Sequence, residues 1–314
     1  MRILVTGGAG FIGSHVVDRC LSAGHEVVIV DNLSTGRREL VNPSARLAVV
    51  DLRNAELADV FHTERPDTVI HVAAQAEVRR SVEEPVFDAD VNILGSVNLL
   101  ECCRRFGVTR VVYSSSGGAV YGDTETLPTP EDHPARPASP YGVSKLTVEH
   151  YLACWRDLYG IPGVALRYAN VYGPRQSPLG EAGVVAIFSH RLLRAEPAII
   201  NGDGLQTRDY VYVGDVAGAN LRAVERPDVC GPINIGTGAQ TSVVDLFEQL
   251  RAVAGVDARA THGPAKLGEQ RRSVLDIGRA RELLGWSPNV SLAEGLRRTV
   301  AHFSGEASCS PASH

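Results

Sequence analysis

Lysine is almost missing from this chain: of 31 basic residues only Lys145 and Lys266 are lysines, and arginine supplies the rest. Neither sign of charge dominates. With 36 acidic residues, a formal net charge of -5 and a pI near 6.1, nothing predicts a basic surface for nucleic acid or an anionic membrane. A charged start followed by a long apolar stretch is absent too, so neither a signal peptide nor a membrane span is predicted, and the chain reads as cytoplasmic. Cys20, Cys102, Cys103, Cys154, Cys230 and Cys309 lack the paired spacing of a zinc site or a disulfide framework and read as reduced thiols. The ten histidines form no ligand-spaced cluster, so no metal is predicted, and His71 at the end of an apolar run reads as structural. No internal repeat stands out.

What the chain does have begins at its second residue. Arg2 to Val5 is a short apolar run, followed by Thr6-Gly7-Gly8-Ala9-Gly10-Phe11-Ile12-Gly13 and an amphipathic stretch from Ser14 to Ala23. The order is strand, glycine loop, helix. Gly7 suits a tight turn, Gly10 a close approach to a pyrophosphate, and Gly13 close packing of helix on sheet, while the first helical amides, at Phe11 and Ile12, face an anion. A second strand, Glu26 to Val30, ends at Asp31, eighteen residues beyond Gly13. A carboxylate there binds an adenosine ribose diol and repels a 2'-phosphate, which predicts NAD rather than NADP. Arg37 and Arg38 follow closely and weaken that preference.

The alternation continues. Leu47 to Val50, Thr68 to Val72 and Val108 to Ser114 read as strands, Ala55 to Glu64 and Asp90 to Phe106 as helices. This predicts an α/β fold, a doubly wound parallel sheet of Rossmann type covered on both faces, with functional loops at the carboxyl ends of its strands. Those ends carry Asn32 after Asp31, Asp51-Leu52, Ala73-Ala74-Gln75 and Ser114-Ser115-Ser116-Gly117-Gly118. The serines also suit a plain turn. At 314 residues the chain can bury one or two full cores.

Tyr141 and Lys145 stand four residues apart, so on a helix they share a face. An ammonium beside a phenol lowers the phenol pKa from its usual value near 10 and so makes a general base. Arginine would be no equivalent partner, because its charge is spread and its proton firmly held.

With these motifs in order, the chain resembles extended short-chain dehydrogenases/reductases, and among them nucleotide-sugar 4-epimerases of the UDP-glucose 4-epimerase type. The likeness runs through Thr6 to Gly13, His71-Val72-Ala73-Ala74, Asn92, Ser114 to Gly122, Tyr141 with Lys145, Arg167-Tyr168-Ala169-Asn170, Arg208-Asp209-Tyr210 and Leu283-Leu284-Gly285-Trp286. It implies that Tyr141 removes the 4-hydroxyl proton of a UDP-sugar while C4 gives hydride to bound NAD, that Lys145 binds the nicotinamide ribose and keeps the phenol acidic, and that Ser116 relays the proton. One apparent extra residue before Val120 leaves Ser115 as the competing assignment. Gly7, Gly10, Phe11, Ile12, Gly13, Asp31, Asn32, Asp51, Leu52, Ala73, Ala74, Gln75, Asn92, Ser114 and Tyr168 would line the cofactor. Ser115, Ser116, Asn170, Arg208, Lys266, Glu269 and Ser273 would meet the substrate.

Relatives that remove water or carbon dioxide carry a carboxylate just after the catalytic serine, whereas here Gly117, Gly118 and Ala119 follow. The loop from Tyr172 to Glu181 resembles that of short bacterial UDP-glucose 4-epimerases, which makes UDP-glucose and UDP-galactose the leading substrates. UDP-N-acetylglucosamine is a rival because Ser273 is small, and UDP-glucuronate because Arg175, Arg191 or Arg194 could meet a carboxylate. A nucleotide-sugar reductase and a non-catalytic NAD sensor remain as other classes. The resemblance further implies a cofactor domain over 1–171 and about 208–226, a substrate lobe over 172–207 and 231–303, a frayed tail over 304–314, and a homodimer joined through the helices at Asp90 to Phe106 and Tyr141 to Tyr159.

Overall fold

Apolar runs without polar alternation become strands buried on both faces, and the amphipathic segments between them become the helices that cover those faces. The computed structural model describes residues 1–179, 183–265 and 270–309. The first half of the chain runs β1 (Arg2–Thr6), α1 (Phe11–Ser22), β2 (Glu26–Asp31), β3 (Arg46–Val49), α2 (Leu57–Glu64), β4 (Thr68–His71), α3 (Val78–Glu83), α4 (Pro85–Ala89), one π-helical turn (Asp90–Leu94), α5 (Gly95–Phe106), β5 (Arg110–Ser116), α6 (Gly117–Val120), α7 (Pro140–Tyr159) and β6 (Gly163–Tyr168). The second half runs β7 (Asn170–Tyr172), α8 (Val184–Leu193), β8 (Ala198–Asn201), β9 (Thr207–Arg208), β10 (Tyr210–Tyr212), α9 (Val213–Glu225), β11 (Gly231–Ile235), β12 (Thr241–Ser242), α10 (Val243–Ala254), β13 (Ala260–Gly263), α11 (Gly278–Leu284) and α12 (Leu292–Cys309).

Seven strands form one sheet, β11-β6-β5-β4-β1-β2-β3, with every neighbouring pair parallel. The strand order reverses between β1 and β4, and a crevice at their carboxyl ends is where this architecture binds ligands. The strand period of two sorts the core. Ile3, Val5, Ile29, Ile70, Val112 and Leu166 pack on one face with Val16 and Val17 of α1, Val216 of α9 and Leu284 of α11. Leu4, Val30, Val69, Val111 and Tyr113 pack on the other with Phe61 of α2, Leu99 of α5 and Val148 of α7. Full burial of such an aliphatic side chain contributes roughly 1.5–3 kcal/mol.

Around the remaining elements a third apolar cluster forms, in which Phe188 of α8, Phe247 of α10 and Leu296 and Val300 of α12 surround Tyr172 and Tyr210. Three two-stranded pairings, β7 with β10, β8 with β13 and β9 with β12, frame this smaller lobe.

Four expectations change in detail. Residues 231–235 belong to the main sheet and not to the lobe, because Gly231 to Ile235 pair in register with Val164 to Tyr168. Ala280, Leu284 and Trp286 follow them into the main core. The strand expected to stop at Ser114 continues to Ser116, since Ser115 and Ser116 still pair with Arg167 and Tyr168, and Gly117–Val120 is a helical turn. The expected long helix from Asp90 starts as a π-turn behind a separate α4. Finally, α12 continues past Ser304, whose hydroxyl donates to the Val300 carbonyl, while 310–314 lie outside the described residues.

Candidate active site

The glycine loop is built as spacing predicted. Gly7 has φ of +70°, and a Cβ there would stand 2.7 Å from the Ala73 amide nitrogen. A Cβ on Gly13 would lie 2.0 Å from the Gly7 carbonyl oxygen, so α1 can sit this close to β1 only with glycine. No side chain caps α1 and no acid stands in its first turn, which leaves the amides of Phe11 and Ile12 suited to a pyrophosphate, while the Gly10 amide donates to the Gly7 carbonyl. Asp31 ends β2 with its carboxylate fixed by the Ala9 amide at 3.0 Å and the Leu33 amide at 2.8 Å. A carboxylate accepts about four hydrogen bonds, so capacity for a ribose diol remains. Arg37 pairs with Glu39 at the surface.

Next along the sheet, the Asp51 carboxylate receives two hydrogen bonds from the Arg53 guanidinium, one from the Arg53 amide and one from Asn32, and Arg53 reaches on to Asp90 at 2.7 Å. Arg53 holds the Asp51 carboxyl well below the usual carboxylate range. Leu52 is buried beside it, and Ala73 and Ala74 are half-buried after β4. Asn92 is pinned in both directions: its Oδ1 accepts from the Gln75 amide at 2.8 Å, and its Nδ2 donates to the Gln75 carbonyl and to Asp88. The residues predicted for a dinucleotide thus come together along the carboxyl edge. The Ser114 and Tyr168 hydroxyls are the exceptions in direction, for they bond each other in the interior at 3.0 Å, and Tyr168 also meets Asn220 Nδ2 at 2.7 Å.

The catalytic candidates meet where α7 crosses the end of β5. Ser139 caps α7 through its bond from the Gly142 amide, and Pro140 suits the first helical position, so the helix begins just before Tyr141. Along β5 the side chains alternate. The Ser116 hydroxyl reaches the Tyr141 phenol, whereas Ser115 Oγ turns to the opposite face and donates to Glu149 Oε1 at 2.5 Å. Geometry therefore separates the two serines that the sequence left open. Lys145 Nζ is buried, donates to the Ser114 carbonyl at 2.8 Å, and stands 5.7 Å from the centre of the Tyr141 ring.

The expected effect of that ammonium on the phenol does not hold here. Part of Tyr141 faces the cleft, yet burial dominates and pushes its pKa up to about 12, with the Ser116 bond opposing and the Asp88 charge adding to the rise. Burial also pulls Lys145 down to about 8 against Asp88 and Glu149. Desolvation thus disfavours the charged form of each group. His71 is structural as predicted: it is fully buried between Thr6 and Ser96, and burial lowers it to about 3.

Three side chains that sequence reasoning passed over complete the setting. Arg167 pairs with Glu149 at 2.6 Å with both side chains under 10% exposed, and its Nη1 donates to the Tyr121 hydroxyl. Glu149 lies four residues past Lys145, a same-face spacing that could have revealed it. Asp88, also missed, carries no local pattern beyond its four-residue distance from Asn92.

Of the substrate candidates, Asn170 is exposed at the start of β7, Arg208 is half-buried in β9, and Ser273 is buried with its amide on the Thr207 carbonyl. Lys266 and Glu269 lie outside the described residues. Among the neighbouring cations, Arg271 is held by Asp203 through two 2.8 Å bonds. No group of three or more histidine, cysteine or acidic side chains suits a metal among the described residues.

Residues 3–236 match the model of the NAD dependent epimerase/dehydratase family. The chain belongs to that family. Among relatives of this epimerase/dehydratase family, a putative UDP-glucose 4-epimerase of Methanocaldococcus jannaschii is 48% identical, with 95% of this chain and 97% of that protein covered. A UDP-glucose 4-epimerase of Thermotoga maritima solved with UDP-glucose has a TM-score of 0.95 at 49% identity, covering 98% of this chain and 100% of that one. The Thermus thermophilus UDP-glucose 4-epimerase solved with NAD has a TM-score of 0.93 at 47% identity, covering 97% and 99%. No helix among the described residues is long and apolar enough to cross a membrane.

Proposed function

We propose that this epimerase/dehydratase family member interconverts UDP-glucose and UDP-galactose with NAD held in the cradle at the ends of β1, β2 and β4. The observation that carries the reading is the grouping of Ser116, Tyr141 and Lys145 beside a turn without a carboxylate. A Cβ on Gly117 would stand 2.5 Å from Leu275, so that position has no room for an acid unless Leu275 shifts. Proton transfer then falls to Tyr141 alone.

Bound NAD supplies a reversible hydride acceptor for the sugar C4. Tyr141 takes the 4-hydroxyl proton, and Ser116, hydrogen-bonded to that phenol, steadies the transfer. Because burial and the Asp88 charge raise the phenol pKa even with Lys145 in place, Tyr141 would become an effective base once the positive nicotinamide of bound NAD adds charge near it. Release of the 4-keto sugar is avoided if it turns in place, after which Tyr141 returns the proton on completion of the opposite transfer. Asn170, Arg208, Lys266 and Glu269 are assigned to the nucleotide, Arg208 to its diphosphate through charge-assisted bonds.

Arg175 pairs with Asp18, Arg194 with Glu196, and Arg191 bonds the Pro197 carbonyl, so the arginines considered for a C6 carboxylate have other partners. This favours a C6 hydroxyl over UDP-glucuronate. Ser273, small and buried, favours UDP-N-acetylglucosamine as second substrate. Purified protein given each sugar nucleotide separately is expected to convert UDP-galactose without net change at the reduced-nicotinamide absorbance band. Turnover of UDP-glucuronate alone overturns the substrate, and stoichiometric oxidation of added cofactor would indicate a reductase.

A homodimer through α5 and α7 fits the exposure of Leu94, Val143 and Leu158 on that side, and sedimentation gives the mass. The free thiols of Cys20, Cys102, Cys103, Cys154 and Cys230 support a cytoplasmic setting.

A further inference from the structure

Asp88 stands at the junction of α4 and α7 with its side chain wholly buried. Its Oδ2 accepts from Ser144 Oγ at 2.6 Å, and its Oδ1 accepts from Gln75 Nε2 at 3.0 Å and Asn92 Nδ2 at 2.9 Å. All three donors are neutral. A buried carboxylate without an ionic partner is costly to keep, even when its hydrogen bonds are complete. The residue after Ser144 is Lys145, whose buried ammonium bonds a carbonyl and lies 5.0 Å from the centre of the Tyr113 ring, with no carboxylate in contact. The other carboxylate acting on Lys145, Glu149, is already neutralised by Arg167. Among the described residues, Asp88 is thus the buried negative charge near Lys145 that no cation offsets.

We propose that Asp88 is a positioning residue that works through Lys145: its charge keeps the buried ammonium protonated, and its hydrogen bonds tie α7 to the loop after β4. The catalytic consequence rests on the epimerase reading above; the electrostatic one does not. The ionisable groups facing this cluster are Tyr141, Lys145 and Glu149 from α7, Tyr113 from β5 and His71 from β4. Arg79, Arg80 and Glu84 are exposed, and Asp90 on the π-turn is engaged by Arg53.

The charge of Asp88 raises the pKa of both Tyr141 and Lys145. Its removal therefore lowers both, so each limb of the kcat profile that either group sets shifts toward low pH. A purely structural defect lowers kcat without moving the limbs.

The test compares the holoenzyme with Asp88→Asn, and with Ser144→Ala, which loses one hydrogen bond and keeps the charge. In Asp88→Asn both limbs of the kcat profile are expected to move about one pH unit toward acid; in Ser144→Ala they stay. Because the chain has two lysines, 13C labelling of the lysine ε-carbon gives two signals, assigned by Lys266→Arg. The Lys145 signal should titrate at lower pH in Asp88→Asn, whether or not the protein turns over a sugar nucleotide. An unmoved Lys145 titration overturns the proposal. Absent epimerase activity with a moved titration overturns only the substrate reading. If Asp88→Asn does not fold, 13C-labelled aspartate in the wild-type protein decides, with the Asp88 carboxyl carbon assigned by Asp88→Glu: ionised throughout the active pH range supports the proposal, protonated there overturns it.

Discussion

On one face of the central sheet, Ile3, Val5, Ile29, Ile70, Val112 and Leu166 meet the aliphatic sides of α1, α9 and α11. On the other face the same strands are apolar at their amino ends, but their carboxyl ends approach Asp88, Lys145, Glu149, Arg167 and His71, all with buried side chains. Apolar contacts have little direction, so the first face sets stability and tolerates changes that conserve volume. Buried charges are directional and expensive, so the second face fixes where hydroxyls point and how protons are held. The fold weights the two requirements differently on the two faces, although Arg110, Ser114, Tyr168 and Asn220 make buried hydrogen bonds on the first face as well.

The widest separation should appear at Tyr141. Tyr141→Phe is expected to lower kcat about a thousandfold, within the range for loss of a positioned acid–base group, while the unfolding midpoint hardly moves. UDP-galactose conversion beside a denaturant melt checks both, and retained activity would falsify the catalytic assignment. Glu149→Gln should cost roughly 3–5 kcal/mol in a urea melt, because it strands the Arg167 charge. The paired change Glu149→Leu with Arg167→Met should restore most of that stability but not the activity, since Ser115 loses its acceptor. Recovery of both would erase the distinction between the faces.

A smaller effect concerns acid. His71 is held neutral in the fold down to about pH 3 but takes up a proton in the unfolded chain below about 6.5. Over that window the unfolded state binds more protons, so stability falls as pH drops. His71→Asn should flatten the fall, as read from melts between pH 4 and 7; an unchanged slope would show that His71 does not contribute. Least of all, Ile70→Val on the aliphatic face should cost about 1 kcal/mol and leave both kcat and its pH profile in place. A shifted profile there would mean that the faces are coupled.

The glycine loop, Asp31 and the pairing of Tyr141 with Lys145 were legible because each depends on local spacing: a turn, a strand end, one helical repeat. The placement of 231–235 was not, because only the register of Gly231 and Pro232 with Val164 and Ala165 makes them part of an edge strand. Ser115 and Ser116 could be told apart only once the strand was known to reach the second of them. The phenol pKa went astray for a different reason. Spacing revealed that a cation is near, but burial, which acts more strongly and in the opposite sense, is a property of the packed molecule. Asp88 was invisible for the same cause, since its partners lie on the loop after β4, the π-turn and α7.

Gly118 has an implication for descent. A Cβ on Gly117 collides with Leu275, but one on Gly118 would meet nothing within 4 Å. A side chain could therefore begin at that position, two residues past Ser116, without its Cβ meeting a neighbour. A scaffold with such an opening lets new chemistry be tried by point mutation before any loop is rebuilt, and the glycine marks the doorway through which an ancestor or a descendant could change trade.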